Sequence, residues 1–161
     1  MNGTGDGTTF EPSATTTRGM IVTVLWRMEG KPTASAKVSF SDVAEGAYYA
    51  GAIAWAAEHK IVMGFSTELF KPEQDITREQ LAAILWRYAK YKGYDVSVGE
   101  GTNILSYSDA ASVSEYAVPS VQWACGSGLI NGVDSKLMPH GNAERCQVAA
   151  ILHRFCKSVA K

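Results

Sequence analysis

The sequence predicts an all-α fold of repeated helix-loop-helix units, on three observations. A charged pentad, Ile76-Thr77-Arg78-Glu79-Gln80, opens an amphipathic helix and returns in altered form around Arg18 and Arg145. The helices behind these three arginines share apolar residues spaced i, i+3, i+4, i+7, which is one buried stripe at helical period. Upstream of the second and third pentads lies another shared element, an aromatic-Ser-Asp triplet followed by a segment with a central Trp. Internal repetition on this scale points to copies of one supersecondary unit.

In chain order, residues 1–31 are the C-terminal half of a first repeat. Thr17-Arg18 precedes Thr77-Arg78 by 60 residues, and the same offset sets Phe10 under Phe70, Pro12 under Pro72 and Leu25-Trp26-Arg27 under Leu85-Trp86-Arg87. The stripe here is Ile21, Val24, Leu25 and Met28, and Gly30 stands where a helix C-cap belongs. This copy lacks the aromatic-Ser-Asp triplet and the helix behind it. Either the chain is cut inside a longer protein or it folds with one helix missing. Lys31 to Ser39 has no helical period and reads as a linker.

Residues 38–95 form a full repeat. It runs from Phe40-Ser41-Asp42-Val43 through a helix around Ala50 to Val62, whose Ala and Gly residues permit close helix approach. The turn Met63-Gly64 and the loop Phe70-Lys71-Pro72 follow, then the pentad helix with stripe Leu81, Ile84, Leu85 and Tyr88, closed near Gly93. A second linker, Val96 to Ser106, leads to another full repeat at 107–161. There Tyr107-Ser108-Asp109-Ala110, Pro139 and Arg145 repeat the plan at an offset of 67, and the turn Asn131-Gly132 follows Met63-Gly64 at 68. Its first helix, roughly Tyr116 to Ser127, carries Pro119 near the start, where proline is tolerated. Trp123 matches Trp55 at an offset of 68, after a one-residue insertion, and the last stripe is Val148, Ile151, Leu152 and Phe155.

Composition narrows the partners. The chain has 161 residues, 46% of them apolar, and 15 Lys+Arg against 16 Asp+Glu. No basic run tracks a phosphate backbone, so nucleic acid is not expected. No apolar stretch approaches the roughly 20 residues of a membrane span, and the Gly/Thr-rich start has neither a charged n-region nor an apolar core, so neither anchor nor signal peptide is expected. Cys125, Cys146 and Cys156 cannot all pair within one chain.

The pentad carries the chemistry. Thr77 reads as the N-cap and forms a capping box with Gln80. Arg78 then leaves the positive end of the helix, where unbonded N–H groups and the macrodipole favour an anion. A guanidinium there is a candidate clamp for a carboxylate or phosphate.

These residues together resemble the S-layer homology repeats of bacterial surface proteins. The specific parts are the Phe-Ser-Asp opening, the mid-helix Trp, the Gly turn, the Phe-x-Pro loop and the pentad, whose family form is Ile-Thr-Arg-Ala-Glu. The resemblance covers almost the whole chain. It implies a pseudo-threefold spindle, with the first helices in a central bundle and the pentad units as prongs. It also implies a non-catalytic anchoring module, outside the cell in the wall or S-layer, whose grooves bind secondary cell-wall polysaccharide, commonly one with pyruvylated N-acetylmannosamine.

Carried over by position, the family arginine becomes Arg18, Arg78 and Arg145. Arg78 keeps Thr77 and Glu79 beside it. Thr17-Arg18 is followed by Gly19-Met20 and lacks the acid, while Glu144-Arg145 lacks the threonine and has Asn142 as a substitute cap. Binding is thus expected to rank Arg78, Arg18, Arg145. Trp55 and Trp123 would offer flat faces to a sugar ring, and the family also places Asp42 and Asp109 near the groove.

Each residue has a plainer role open to it. The arginines could make surface salt bridges or cap neighbouring carbonyls, the tryptophans could pack in the core, and the aspartates could serve as N-caps or Asx-turns. Two other functions compete. Self-assembly or protein interaction would cover the apolar surface left by the missing helix. An enzyme would need an acid/base pair, and no paired carboxylates or Ser/His/Asp order stands out. Cys146, His153 and Cys156 share a helix, but at spacings of seven and three residues that do not suit a metal. No cofactor or metal is expected.

Overall fold

The computed structural model describes residues 7–35 and 40–160. Its helices are α1 (Arg18–Met28), α2 (Ala50–Glu58), α3 (Arg78–Tyr91), α4 (Val118–Gly126) and α5 (Arg145–Ser158). Among the described residues only isolated bridges stand in for sheet, so the predicted all-α class holds. The chain divides into two compact units, one spanning Thr16–Ile76, the other Asn2–Thr15 with Thr77–Lys161.

In the first unit, α1 starts as predicted: the Thr17 hydroxyl accepts from the Met20 N–H at 3.3 Å. It ends in a Schellman motif, with Gly30 at φ 76° and the N–H groups of Gly30 and Lys31 bonded to the carbonyls of Arg27 and Trp26. The stripe differs from the expected one. Ile21, Val22 and Leu25 are fully buried, whereas Val24 is half-buried and Met28, in the last turn, is exposed. Helix α2 packs on α1. Gly51 allows this, because a Cβ there would lie 3.3 Å from the Trp26 ring. Helix α2 stops short of the expected Val62, since Lys60 adopts φ 57° and the Lys60 and Ile61 N–H groups turn back to Ala57 and Ala56.

In the second unit, the Thr77–Gln80 capping box is present, and Gly93, at φ 73°, closes α3 in the same Schellman geometry as Gly30. The Val96–Ser106 linker contains a 3-10 turn, Ser97–Gly99. Gly99 has no room for a side chain, as a Cβ would come within 3.0 Å of the Trp123 backbone. Two more such turns follow, Ala110–Ser112 and Glu115–Ala117, and the latter leads into α4, which carries Pro119 in its first turn. The cap of α5 is Glu144, not Asn142. Asn142 instead bridges to Thr77. Phe155 anchors α5 in an aromatic cluster, 5.7 Å from Tyr88 and 6.4 Å from Trp123.

Candidate ligand-binding site

The three pentad arginines begin their helices in the same way. The Arg18, Arg78 and Arg145 N–H groups donate to the carbonyls of Gln74, Gly141 and Ala14, and the next N–H groups, of Gly19, Glu79 and Cys146, donate to the carbonyls of Pro72, Pro139 and Pro12. At α1 and α3 the following N–H goes to the capping threonine. Donors that a helix start leaves bare are therefore spent inside the protein. The expectation that they await a ligand's oxygens is corrected, because a proline-loop carbonyl already fills that place.

The guanidinium groups follow suit. Arg18, Arg78 and Arg145 are only 7%, 7% and 6% exposed. Their Nε atoms donate to the carbonyls of Phe70, Leu137 and Phe10 at 2.9, 2.8 and 2.8 Å. Nη2 of Arg18 reaches the Met63 carbonyl at 3.4 Å and that of Arg78 the Asn131 carbonyl at 3.3 Å. Of the two plainer readings open for the arginines, surface salt bridge and carbonyl capping, the structure shows carbonyl capping. Burial lowers the Arg78 pKa from its usual value, with Cys125 and Asp109 opposing. Burial raises that of the half-buried Cys125 thiol, with Arg78 opposing.

Asp42 and Asp109 complete the arrangement. Asp42 accepts from the Phe70 and Lys71 N–H groups at 2.9 and 2.7 Å, and Asp109 from those of Leu137 and Met138 at 2.7 and 2.7 Å. These bonds span the chain, so neither aspartate acts as the side-chain N-cap or local Asx-turn of the plainer reading. The Phe70–Lys71 peptide thus gives its C=O to Arg18 and its N–H to Asp42. The Leu137–Met138 peptide does the same with Arg78 and Asp109. Each charge pair acts through one peptide dipole, and charge-assisted bonds of this kind are stronger than neutral ones. The grip has something to hold: Lys71, Met138 and Glu11 lie at φ 57°, 50° and 50°, a region uncommon for residues other than glycine. Burial works to raise the Asp109 pKa, but the Leu137 and Met138 N–H groups outweigh it and hold the carboxyl below its ordinary value.

Other predicted site residues are likewise engaged. Thr17 and Thr77 are caps. Glu79 is buried, its carboxylate taking the Ser114 N–H at 3.0 Å, the Ser114 hydroxyl at 2.8 Å and the Tyr116 hydroxyl at 3.3 Å, with His140 Nδ1 at 3.5 Å. Trp55 and Trp123 are fully buried and show no ring face to a sugar; packing is their role. Sequence reasoning missed the turn residues Phe10, Phe70 and Leu137. A signal existed, since both aspartates stand 28 residues before the turn residue they bind.

One recess has a predicted residue, the buried Arg78, in its lining. A cavity of about 350 Å³ in the second unit is lined by Arg78, Asn131, Cys146, Gln147 and Arg154, with Leu129 and Ile151 among its apolar walls. Arg154 donates through Nη1 to the Leu129 carbonyl at 3.1 Å. Two guanidinium groups and an amide beside apolar walls can take an anionic, partly apolar ligand. No cluster of three His, Cys, Asp or Glu side chains suited to a metal ion occurs among the described residues.

Comparison with known proteins agrees with the repeat pattern. The chain is 32% identical over 147 residues to an amylopullulanase of Thermoanaerobacterium thermosulfurigenes, covering 91% of this chain and 8% of that protein. It is 28% identical over 154 residues to a surface-layer 125 kDa protein of Lysinibacillus sphaericus, covering 93% and 12%. With a cellulosome-anchoring protein of Acetivibrio thermocellus the identity is 22% over 153 residues, covering 92% and 33%. The chain thus spans a third or less of the length of these relatives. The S-layer homology domain profile matches residues 39–82 and 106–149, the two full repeats from triplet to pentad, and the chain belongs to that family.

Proposed function

We propose that this chain is a non-catalytic module that anchors a bacterial surface protein by binding an acidic secondary cell-wall polysaccharide. S-layer homology domains anchor proteins to the cell surface, and relatives carry names such as surface-layer protein and cellulosome-anchoring protein. The relative named for an enzyme matches over a small part of its length, which supports an anchoring module separate from any catalytic one. No helix among the described residues is long and apolar enough to cross a membrane.

The observation that carries the reading is the recess holding Arg78 and Arg154. A pyruvyl ketal brings a carboxylate and a methyl group, which suit the two guanidinium groups and the apolar wall of Leu129 and Ile151. Arg78 has Nε and Nη2 committed to carbonyls, so it offers a fixed charge and Arg154 the adaptable one. The test is retention on purified pyruvylated wall polysaccharide. Arg154→Gln, on an exposed position, is expected to fold as the parent does and to bind about tenfold more weakly, the usual order for one charge-assisted bond. Equal retention of parent and variant, or equal binding of polysaccharide stripped of pyruvate, contradicts the reading.

A further inference from the structure

Among the described residues, two of the three proline-loop turns are held from both sides, and the third from one. At Phe70–Lys71 and Leu137–Met138 an arginine takes the carbonyl while an aspartate takes two N–H groups. At Phe10–Glu11 the arginine is in place, with Arg145 Nε 2.8 Å from the Phe10 carbonyl and its Cζ 5.0 Å from the Phe10 ring centre. Glu11 also has the same left-handed φ, 50°. No carboxylate meets the Phe10 and Glu11 N–H groups among the described residues. Exposure follows the same division: Phe70 and Leu137 are 0% and 2% exposed, Phe10 is 40% exposed.

What covers the completed turns is the aromatic-Ser-Asp triplet. The aspartate binds the two N–H groups, and the serine N–H donates to the carbonyl two residues before the turn, from Ser41 to Glu68 and from Ser108 to Ser135. The Phe40 ring lies 5.5 Å from Phe70. We infer that the Phe10–Glu11 turn is a docking site for an aromatic-Ser-Asp segment of another polypeptide repeat, whose aspartate accepts from the Phe10 and Glu11 N–H groups. The chain displays this occupant twice on equivalent turns. Charge complements it as well, because the Arg145 guanidinium bound to the Phe10 carbonyl favours a carboxylate on the far side of the same peptide. The inference stands apart from the glycan reading.

The test is titration of the 15N-labelled chain with a synthetic peptide of residues 40–58, and with the same peptide carrying Asp42→Asn. The Phe10 and Glu11 amide signals should shift downfield with the parent peptide, and the Asn peptide should bind about tenfold or more weakly. The inference is overturned if those two amides stay unmoved at millimolar peptide, if the shifts fall instead on Phe70 and Lys71, or if both peptides bind alike.

Discussion

The two units build the same pentad neighbourhood from exchanged parts. In the second unit the residue after the arginine is Glu79, its carboxylate bound to Ser114 and Tyr116, and the residue capping α4 is the small, buried Ala117. In the first unit the residue after the arginine is Gly19, and the matching cap of α2 is Tyr49, whose ring would lie 3.0 Å from a Cβ on Gly19. The carboxylate has moved to the proline loop. Burial first, then a hydrogen bond to Glu73 and its charge, raise the Tyr49 pKa, where the second unit has His140 after its proline. Large and small, acid and neutral, are swapped across one contact. The arginine contacts on either side are unchanged. The missing acid of the first pentad is thus a compensated exchange, and the expected ranking of Arg78 over Arg18 finds no support in how the two side chains are held.

Breaking the shared part should cost most. Arg78→Ala leaves the buried Leu137 carbonyl and the part-buried Asn131 carbonyl without their charged donor, for about 3 kcal/mol of lost stability by urea denaturation. Arg18→Ala should lose a similar amount, since its two bonds are equivalent. A large gap between the two variants would undo the claim of equivalence.

The exchanged part comes next. Gly19→Glu must displace the Tyr49 ring and approach the Pro72 carbonyl, 3.1 Å from the new Cβ, and should destabilise by about 1–3 kcal/mol. Adding Tyr49→Ala, which copies the second unit, should recover part of that loss. If it recovers none, the swap is not the reason for the glycine.

Acid should reveal the aspartate. A carboxyl whose folded pKa is depressed contributes stability that is present above its unfolded pKa and lost as pH falls through the folded one. For Asp109 the loss therefore begins in the ordinary carboxylate range, where the unfolded carboxyl takes up its proton, and continues down through the lower folded value. Asp109→Asn should flatten that acid limb; an unchanged pH profile counts against the bond to the turn.

The smallest effect compares the ends of α2 and α4. Both close in a Schellman motif, one with Lys60 at φ 57° and the other with Gly128 at φ 67°. Lys60→Gly should gain up to about 1 kcal/mol and Gly128→Ala should lose about 1 kcal/mol, because only glycine enters this region without steric cost. Thermal melts of both variants would show the opposite signs.

Local features were legible in the sequence because they are written locally. The stripe of α3, the Thr77–Gln80 box and the glycines at 30 and 93 rest on spacings of a few residues, and they hold in the structure. The destination of a long side chain is not written locally. A guanidinium at a helix start suits a sugar carboxylate and a neighbouring carbonyl equally, and only the path of the chain brings Leu137 to Arg78. The left-handed turns at Lys71, Met138 and Glu11 were invisible for a related reason: none of these residues favours that conformation, and at Lys71 and Met138 it is flanked by distant Asp and Arg partners. Trp55 and Trp123 could be read either as platforms or as core, and burial decided it.

The central claim is that an arginine and an aspartate act on one another through a single turn peptide. A double-mutant cycle of Arg78→Lys and Asp109→Asn, measured by urea denaturation at neutral pH, tests it directly. The account predicts a coupling of about 1 kcal/mol, each change costing less once the other has been made; additivity within about 0.3–0.5 kcal/mol would contradict it.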